Sequence, residues 1–129
     1  MTDAAFLDRF LLSLCVWREA RGESLRGKQL VADVIRNRVA DRRWPTTIRD
    51  VVLQPRQFSA FNAGDPNAVL FPVASDPSWG EALTAADAVL VDMPALTDAN
   101  HYHVEGLFPT WAEAEKVVAR EGHHVFYAL

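Results

Sequence analysis

One cysteine is all the thiol chemistry that 129 residues carry, so no disulfide can form within the chain. Cys15 sits between Leu14 and Val16, and an apolar flank of that kind predicts a buried thiol and not a reactive one. The six glycines form no phosphate-cradling loop and no dinucleotide fingerprint. Neither Ser13 nor Ser59 has the Gly-x-Ser-x-Gly context of a serine hydrolase. HExxH and paired CxxC spacings are missing, and so is any apolar run of the roughly 20 residues needed to span a bilayer. Net positive charge is missing as well: the balance is −4 with a pI near 5.5, which gives no general attraction to nucleic acid or to an anionic membrane. Asp3 and Asp8 stand where a secretory signal would carry basic residues. The expectation is a soluble, monomeric chain forming one domain over residues 1–129, with no nucleic-acid partner and no stable membrane association.

Half of the residues are hydrophobic, enough for a core without disulfides or a structural metal. Phe6, Phe10, Leu11, Leu14 and Cys15 recur at helical spacing behind a capping Thr2 or Asp3. Gly22 then breaks the pattern and Ser24 can cap a second helix, with Leu30, Val31, Val34, Ile35 and Val39 along one face. Thr47 and Asp50 suggest a short capped helix ended by Pro55. Residues 54–78 hold four of the seven prolines and no sustained period, which reads as a long loop serving a site. Asp76-Pro77 opens a further helix carrying Leu83, Ala86, Val89 and Leu90. Residues 101–105 read as a strand. Thr110-Trp111-Ala112-Glu113 reads as a capping box opening a last helix to about Arg120, and residues 123–127 as a second strand able to pair with the first. Ten of the thirteen basic residues fall between positions 18 and 56, which is where an anionic polymer would be met.

Three groups of residues could carry chemistry. Glu19 falls at a helix end beside Trp17, and partial burial against an aromatic ring raises a carboxyl pKa by desolvation, so that the acid could stay protonated and donate to a glycosidic oxygen. An ordinary solvated helix end, with Arg18, Arg21 and Glu23, is the plain alternative. A glycosidase usually needs a second carboxylate, and Glu23, Asp65 and Asp76 are the candidates, none singled out. The second group is His101, His103, His123 and His124. Residues two apart on a strand share a face, so this set is a zinc-site candidate for an amidase or peptidase, with hydrogen-bonding side chains in a cleft as the plainer reading. The third is Gln57, Phe58, Ser59, Phe61 and Asn62 with Asn100 and Tyr102, which offer the planar faces and donors that a hexose needs.

The runs Glu19-Ala20-Arg21-Gly22-Glu23, then Gly27-x-x-x-Val31-Ala32-x-Val34-Ile35-x-Asn37-Arg38-Val39, then Gln54-Pro55-x-Gln57-Phe58-Ser59, resemble the SleB/CwlJ family of cell-wall hydrolases. Asn100-His101-Tyr102-His103 and Gly122-His123-His124-Val125-Phe126-Tyr127 resemble that family's closing motifs, so the likeness runs over nearly the whole chain in order. It implies an α+β, lysozyme-like fold, mainly helical, with a small antiparallel β-sheet lining the cleft. It also implies cleavage of peptidoglycan glycan strands between N-acetylmuramic acid and N-acetylglucosamine, with an anhydro-muramic product and no metal or cofactor. The family's catalytic acid matches Glu19, while Glu23, Gln57, Phe58, Ser59, Asn100, Tyr102 and His103 fall where they would shape the cleft and bind substrate. Two departures stand out: His123 occupies a position where many members carry Asn, and residues 63–79 follow no family pattern. A bare catalytic domain without a leader resembles a phage or prophage endolysin or a tail-associated hydrolase, made in the cytoplasm and acting on the wall after release.

Overall fold

The computed structural model describes residues 1–54, 58 and 61–129. Helix α1 spans Asp3–Ala20, α2 Leu25–Val39, α3 Ile48–Val52 and α4 Pro77–Leu90. Strands β1 (His101–Val104), β2 (Val117–Glu121) and β3 (His124–Tyr127) follow, so the class is the expected α+β, helical first and sheet last. Each helix starts where the sequence offers an oxygen to its unpaired amides. The side chain of Thr2 accepts from Ala5 N, Ser24 from Gly27 N, Thr47 from Asp50 N and Asp76 from Ser78 N, with Pro77 in the first turn of α4.

The apolar stripes of α1, α2 and α4 meet in one core with α3. Leu12, Cys15, Val16, Leu30, Val31, Val34, Ile35, Val51, Val52, Ala82, Ala85 and Ala86 are fully buried there. Small residues on α4 let its backbone approach α1 and α2 closely. The first two turns of α1 lie outside this core: Phe6 is 58 % and Phe10 37 % exposed, and their rings stack on each other. The helical period was therefore read correctly, but burial begins only at Leu11 and Leu12.

The sheet has the order β1-β3-β2, all antiparallel, so the last strand lies in the middle and is buried along its length. His101 and His103 of β1 pair across from Tyr127 and Val125, and Tyr102 pairs with Phe126. The strands expected at either end do pair. The last helix does not form: residues 114–116 make one 3-10 turn and residues 117–121 are β2. Val117 and Val118 are β-branched, and β3 offers a free edge, so ladder bonds outweigh the local capping pattern at Thr110 to Glu113.

The polar side of α2 fixes where β1 begins. Asn37 Nδ2 donates to the carbonyls of Thr97 and Ala99, Arg38 Nε donates to Asn100 O at 2.8 Å, and buried Asp33 accepts from Leu96 N at 2.9 Å. Burial pushes the Asp33 carboxyl up, partly countered by the bonds from Leu96 and Gln29. One helix face thus grips residues 96–100 and delivers Tyr102 to the core side of the sheet.

Candidate active site

Glu19 stands in the last turn of α1, half-buried, where the helix end meets the inner face of the sheet. The Tyr102 phenol reaches toward it from β1, near enough for the Glu19 charge, and more weakly a hydrogen bond from the hydroxyl, to act on the phenol. Burial, and then the Glu19 charge, hold the Tyr102 phenol well above its usual range, so it remains a donor at any working pH. Cys15, one helical turn before Glu19, is fully buried, and its thiol is pushed up first by burial and then by Glu19. It is the inert thiol that its apolar flanks predict.

The aromatic neighbour expected for Glu19 was Trp17, and here the structure differs. Residues two apart on a helix point away from each other. The Trp17 indole is buried, donates to Asp76 Oδ2 at 2.9 Å and lies under the Arg21 guanidinium. Tyr102 supplies the ring at Glu19 instead.

Three neighbours of Glu19 reach to the long loop. Trp17 takes Asp76, Arg21 Nη2 donates to Asn67 Oδ1 at 2.8 Å, and Arg18 donates to the carbonyls of Ala68 and Leu70 while lying between the rings of Phe61 and Phe71. That clamp was missed in the sequence, where Arg18 and Arg21 read as solvated charges; Arg18 is only 7 % exposed. The sole hint was its place on the buried side of the α1 pattern.

Each candidate second carboxylate is occupied by structure. Both oxygens of Glu23 accept from His123: the backbone N–H at 2.7 Å and ring Nδ1 at 3.0 Å. Burial would push the Glu23 carboxyl up, but these bonds and the nearby histidines outweigh it and hold it low. Asp65 caps its own 3-10 turn by accepting from Asn67 N, and Asp76 accepts from Trp17 and Ser78 N. Glu23 also explains two glycines. A Cβ on Gly122, whose φ is +54°, would meet Glu23 Oε1 at 2.4 Å, and a Cβ on Gly27 would lie 3.1 Å from the Glu23 Cβ. Glu23, Gly27, Gly122 and His123 therefore form one corner, where the turn after α1 holds the β2–β3 turn. Lys28, 1 % exposed, secures it by donating to the Glu23 carbonyl and to Glu81.

The four histidines do not converge. His101 and His103 lie on the outer face of the sheet against Trp111, with Trp44 and Tyr127 adjoining them. His124 lies on the inner face against Tyr102, and His123 is held by Glu23. Among the described residues no group of three or more His, Cys, Asp or Glu is placed to hold a metal ion.

The other expected substrate contacts separate in the same way. Tyr102 reaches Glu19. His103 turns to the outer face, donating from Nδ1 to Val104 O and bonding through Nε2 to the Tyr127 hydroxyl at 2.7 Å. Asn100 is 7 % exposed and exchanges two hydrogen bonds with the Leu129 backbone. Phe58 is 3 % exposed in the core, under the Arg38 guanidinium. Gln57 and Ser59 lie outside the described residues.

The helix-end acid, the helical core and the late three-stranded sheet define a class, and the profile of the Cell Wall Hydrolase family matches residues 22–127. The chain belongs to that family. It is 26 % identical over 116 residues to a spore cortex-lytic enzyme of Bacillus cereus and 26 % identical over 121 residues to one of Oceanobacillus iheyensis, in each case over 90 % of this chain. It spans 42 % and 40 % of those relatives' own lengths. Among solved structures it is similar to the catalytic domain of the germination-specific lytic transglycosylase SleB from Bacillus anthracis, with a TM-score of 0.76 and 25 % identity over 98 % of this chain and 96 % of that one. The catalytic domain of the Bacillus cereus SleB protein aligns with a TM-score of 0.75 and 27 % identity, over 93 % and 88 % of the two chains. The lysozyme-like fold expected from the motifs is thus the one found.

Proposed function

We propose that this chain acts as one catalytic domain that cleaves the glycan strands of peptidoglycan between N-acetylmuramic acid and N-acetylglucosamine as a lytic transglycosylase. Glu19 is its acid and its base. In the first step the Glu19 carboxyl protonates the glycosidic oxygen, the bond from that oxygen to the muramic C1 breaks, and an oxocarbenium-like centre forms. In the second the muramic 6-hydroxyl attacks C1 while the Glu19 carboxylate takes its proton, closing the 1,6-anhydro ring and restoring the acid. The Tyr102 hydroxyl, which donates to Glu19, steadies the carboxylate between these steps. The observation that carries this reading is the Glu19–Tyr102 pair at the end of α1, in a fold aligned over 98 % of its length with a lytic transglycosylase domain.

A single-acid route is favoured because both oxygens of Glu23 and of Asp76, and one oxygen of Asp65, already accept hydrogen bonds from the protein's own donors. Gln57 and Ser59 remain the proposed substrate contacts of the loop, whereas Glu23, Phe58 and Asn100 act from behind the site. The substrate is the wall polymer, the site of action the cell wall, and the working form a monomer.

The test is mass spectrometry of fragments released from purified peptidoglycan. Wild-type protein should yield anhydro-muramic ends, and Glu19→Gln should lower their release by about 10²- to 10⁴-fold with the fold intact. Reducing ends instead would mean that water completes the reaction. Substantial cleavage by the variant would remove Glu19 from its role.

A further inference from the structure

His124 is 4 % exposed, and its Nδ1 is buried with no hydrogen-bond partner among the described residues, 3.5 Å from Glu23 Oε1. A buried polar atom without a partner is destabilising, and a phenylalanine at this position would fill similar space without that cost. What surrounds the ring suggests why a histidine stands there. It meets the Tyr102 ring edge-on, with centroids 5.2 Å apart at 70°, and the Phe126 ring at 6.0 Å and 77°. Tyr102 and Phe126 in turn lie 5.7 Å apart. Tyr102 is thereby walled by two rings, and its hydroxyl reaches Glu19.

We propose that His124 is a positioning residue for the Glu19 acid: it holds Tyr102 in the orientation that delivers the phenol hydroxyl to Glu19, and Glu23 sets which ring nitrogen of His124 bears the hydrogen. The inference rests on the glycan-cleaving reading for its kinetic consequence, though not for its geometry. The Glu23 carboxylate favours the hydrogen on Nδ1, which turns that edge of the ring toward the α1–α2 corner and leaves the opposite edge toward Tyr102. The charged and titratable groups facing the ring are few. Glu23 comes from the corner, Glu121 is its partner across from β2, Tyr102 comes from β1, and the fields of His123 and His103 reach it. Burial holds His124 below its usual range, so the ring that walls Tyr102 is the neutral one. The corner that joins helix to sheet would then serve the acid four residues before it, through His124 and Tyr102.

The chain has two tyrosines, so ring-labelled [13Cζ]tyrosine in the whole protein gives two signals, with Tyr102→Phe assigning one of them. His124→Gln is expected to move the Tyr102 signal while the Tyr127 signal, from the other face of the same strand pair, stays in place. On purified glycan strands it should lower kcat roughly tenfold with KM within about twofold, and have no further effect in a Tyr102→Phe background. A stationary Tyr102 signal, or kcat losses that simply multiply in the double variant, would overturn the proposal. If both signals collapse because His124→Gln does not fold, His124→Phe decides by the same two signals, since it keeps a ring but not the Nδ1 edge that faces Glu23: a displaced Tyr102 signal supports the proposal and an unmoved one overturns it. Wild-type protein that releases no glycan fragment would sink the activity reading alone, because the Tyr102 signal reports the positioning without turnover.

Discussion

The two faces of the small sheet carry the same residue types and do different things. On the inner face Tyr102 is walled by His124 and Phe126 and donates to a carboxylate at a helix end. On the outer face Tyr127, with His103 and His101, packs under Trp111, and its hydroxyl bonds a histidine that is already anchored to a main-chain carbonyl. Both tyrosines are largely withdrawn from water. What separates them is the partner: an ionisable carboxyl group inside, and a closed hydrogen-bond chain outside. The alternation of a strand does the sorting, since His101 and His103 flank Tyr102 in sequence and face the opposite way.

The comparison breaks most visibly at Tyr102. Tyr102→Phe keeps the ring between His124 and Phe126 and removes only the hydroxyl. The expected loss is roughly 10- to 100-fold in kcat on purified glycan strands, with KM little changed, because in the proposed reaction Tyr102 acts on Glu19 and not on the sugar. A variant with unaltered kcat would place Tyr102 among the core residues and remove it from any part in the reaction.

The sequence made the helices and their caps legible because those signals are local: Thr2, Ser24, Thr47 and Asp76 each act within three residues of themselves. Glu19 and Tyr102 were both nameable from motif positions, but their contact was not, since it joins residues far apart in the chain. β2 was misread for the same reason. Val117 and Val118 become a strand through a partner, β3, that the local capping pattern does not register. Glu23 was expected to meet substrate because it sits in the same motif as Glu19. Its oxygens are in fact used by His123, and it is the left-handed Gly122 that records the arrangement, since no side chain fits between that turn and the carboxylate.

That corner supports the inner face, so Gly122→Ala is the next test of the contrast. The new methyl group would meet Glu23 Oε1 in a backbone conformation that L-residues avoid, and the expected cost is about 1–3 kcal/mol in urea unfolding. Activity should fall with it if the corner holds Tyr102 in place. Full stability would mean that the turn relaxes without consequence.

Acid should weaken the outer face through His101. Burial first, and then the charges of Arg38 and Arg43, hold its imidazole at about 4, below the usual 6.5. The unfolded chain therefore takes up a proton that the folded chain refuses, and stability declines as pH falls from 6.5 toward 4, then stops declining on this account. His101→Asn should flatten that part of the Tm–pH curve, whereas an unchanged slope would assign it to the other buried histidine, His124.

The smallest effect is expected at Tyr127, and it closes the contrast because the substitution is chemically the same as the one at Tyr102. Tyr127→Phe removes a hydroxyl that donates to His103 Nε2, while His103 keeps its Nδ1 bond to Val104 O. His103 is half-exposed, so water can replace the lost donor, and the net cost should be no more than about 0.5–1.5 kcal/mol. Since the ring stays between Trp111 and His103, kcat on purified glycan strands should match wild type. Equal kcat losses from Tyr102→Phe and Tyr127→Phe would mean that the two faces are coupled through the sheet, and that the division of labour drawn from strand alternation is wrong. A loss confined to Tyr102→Phe would place the chemistry on the face that meets α1.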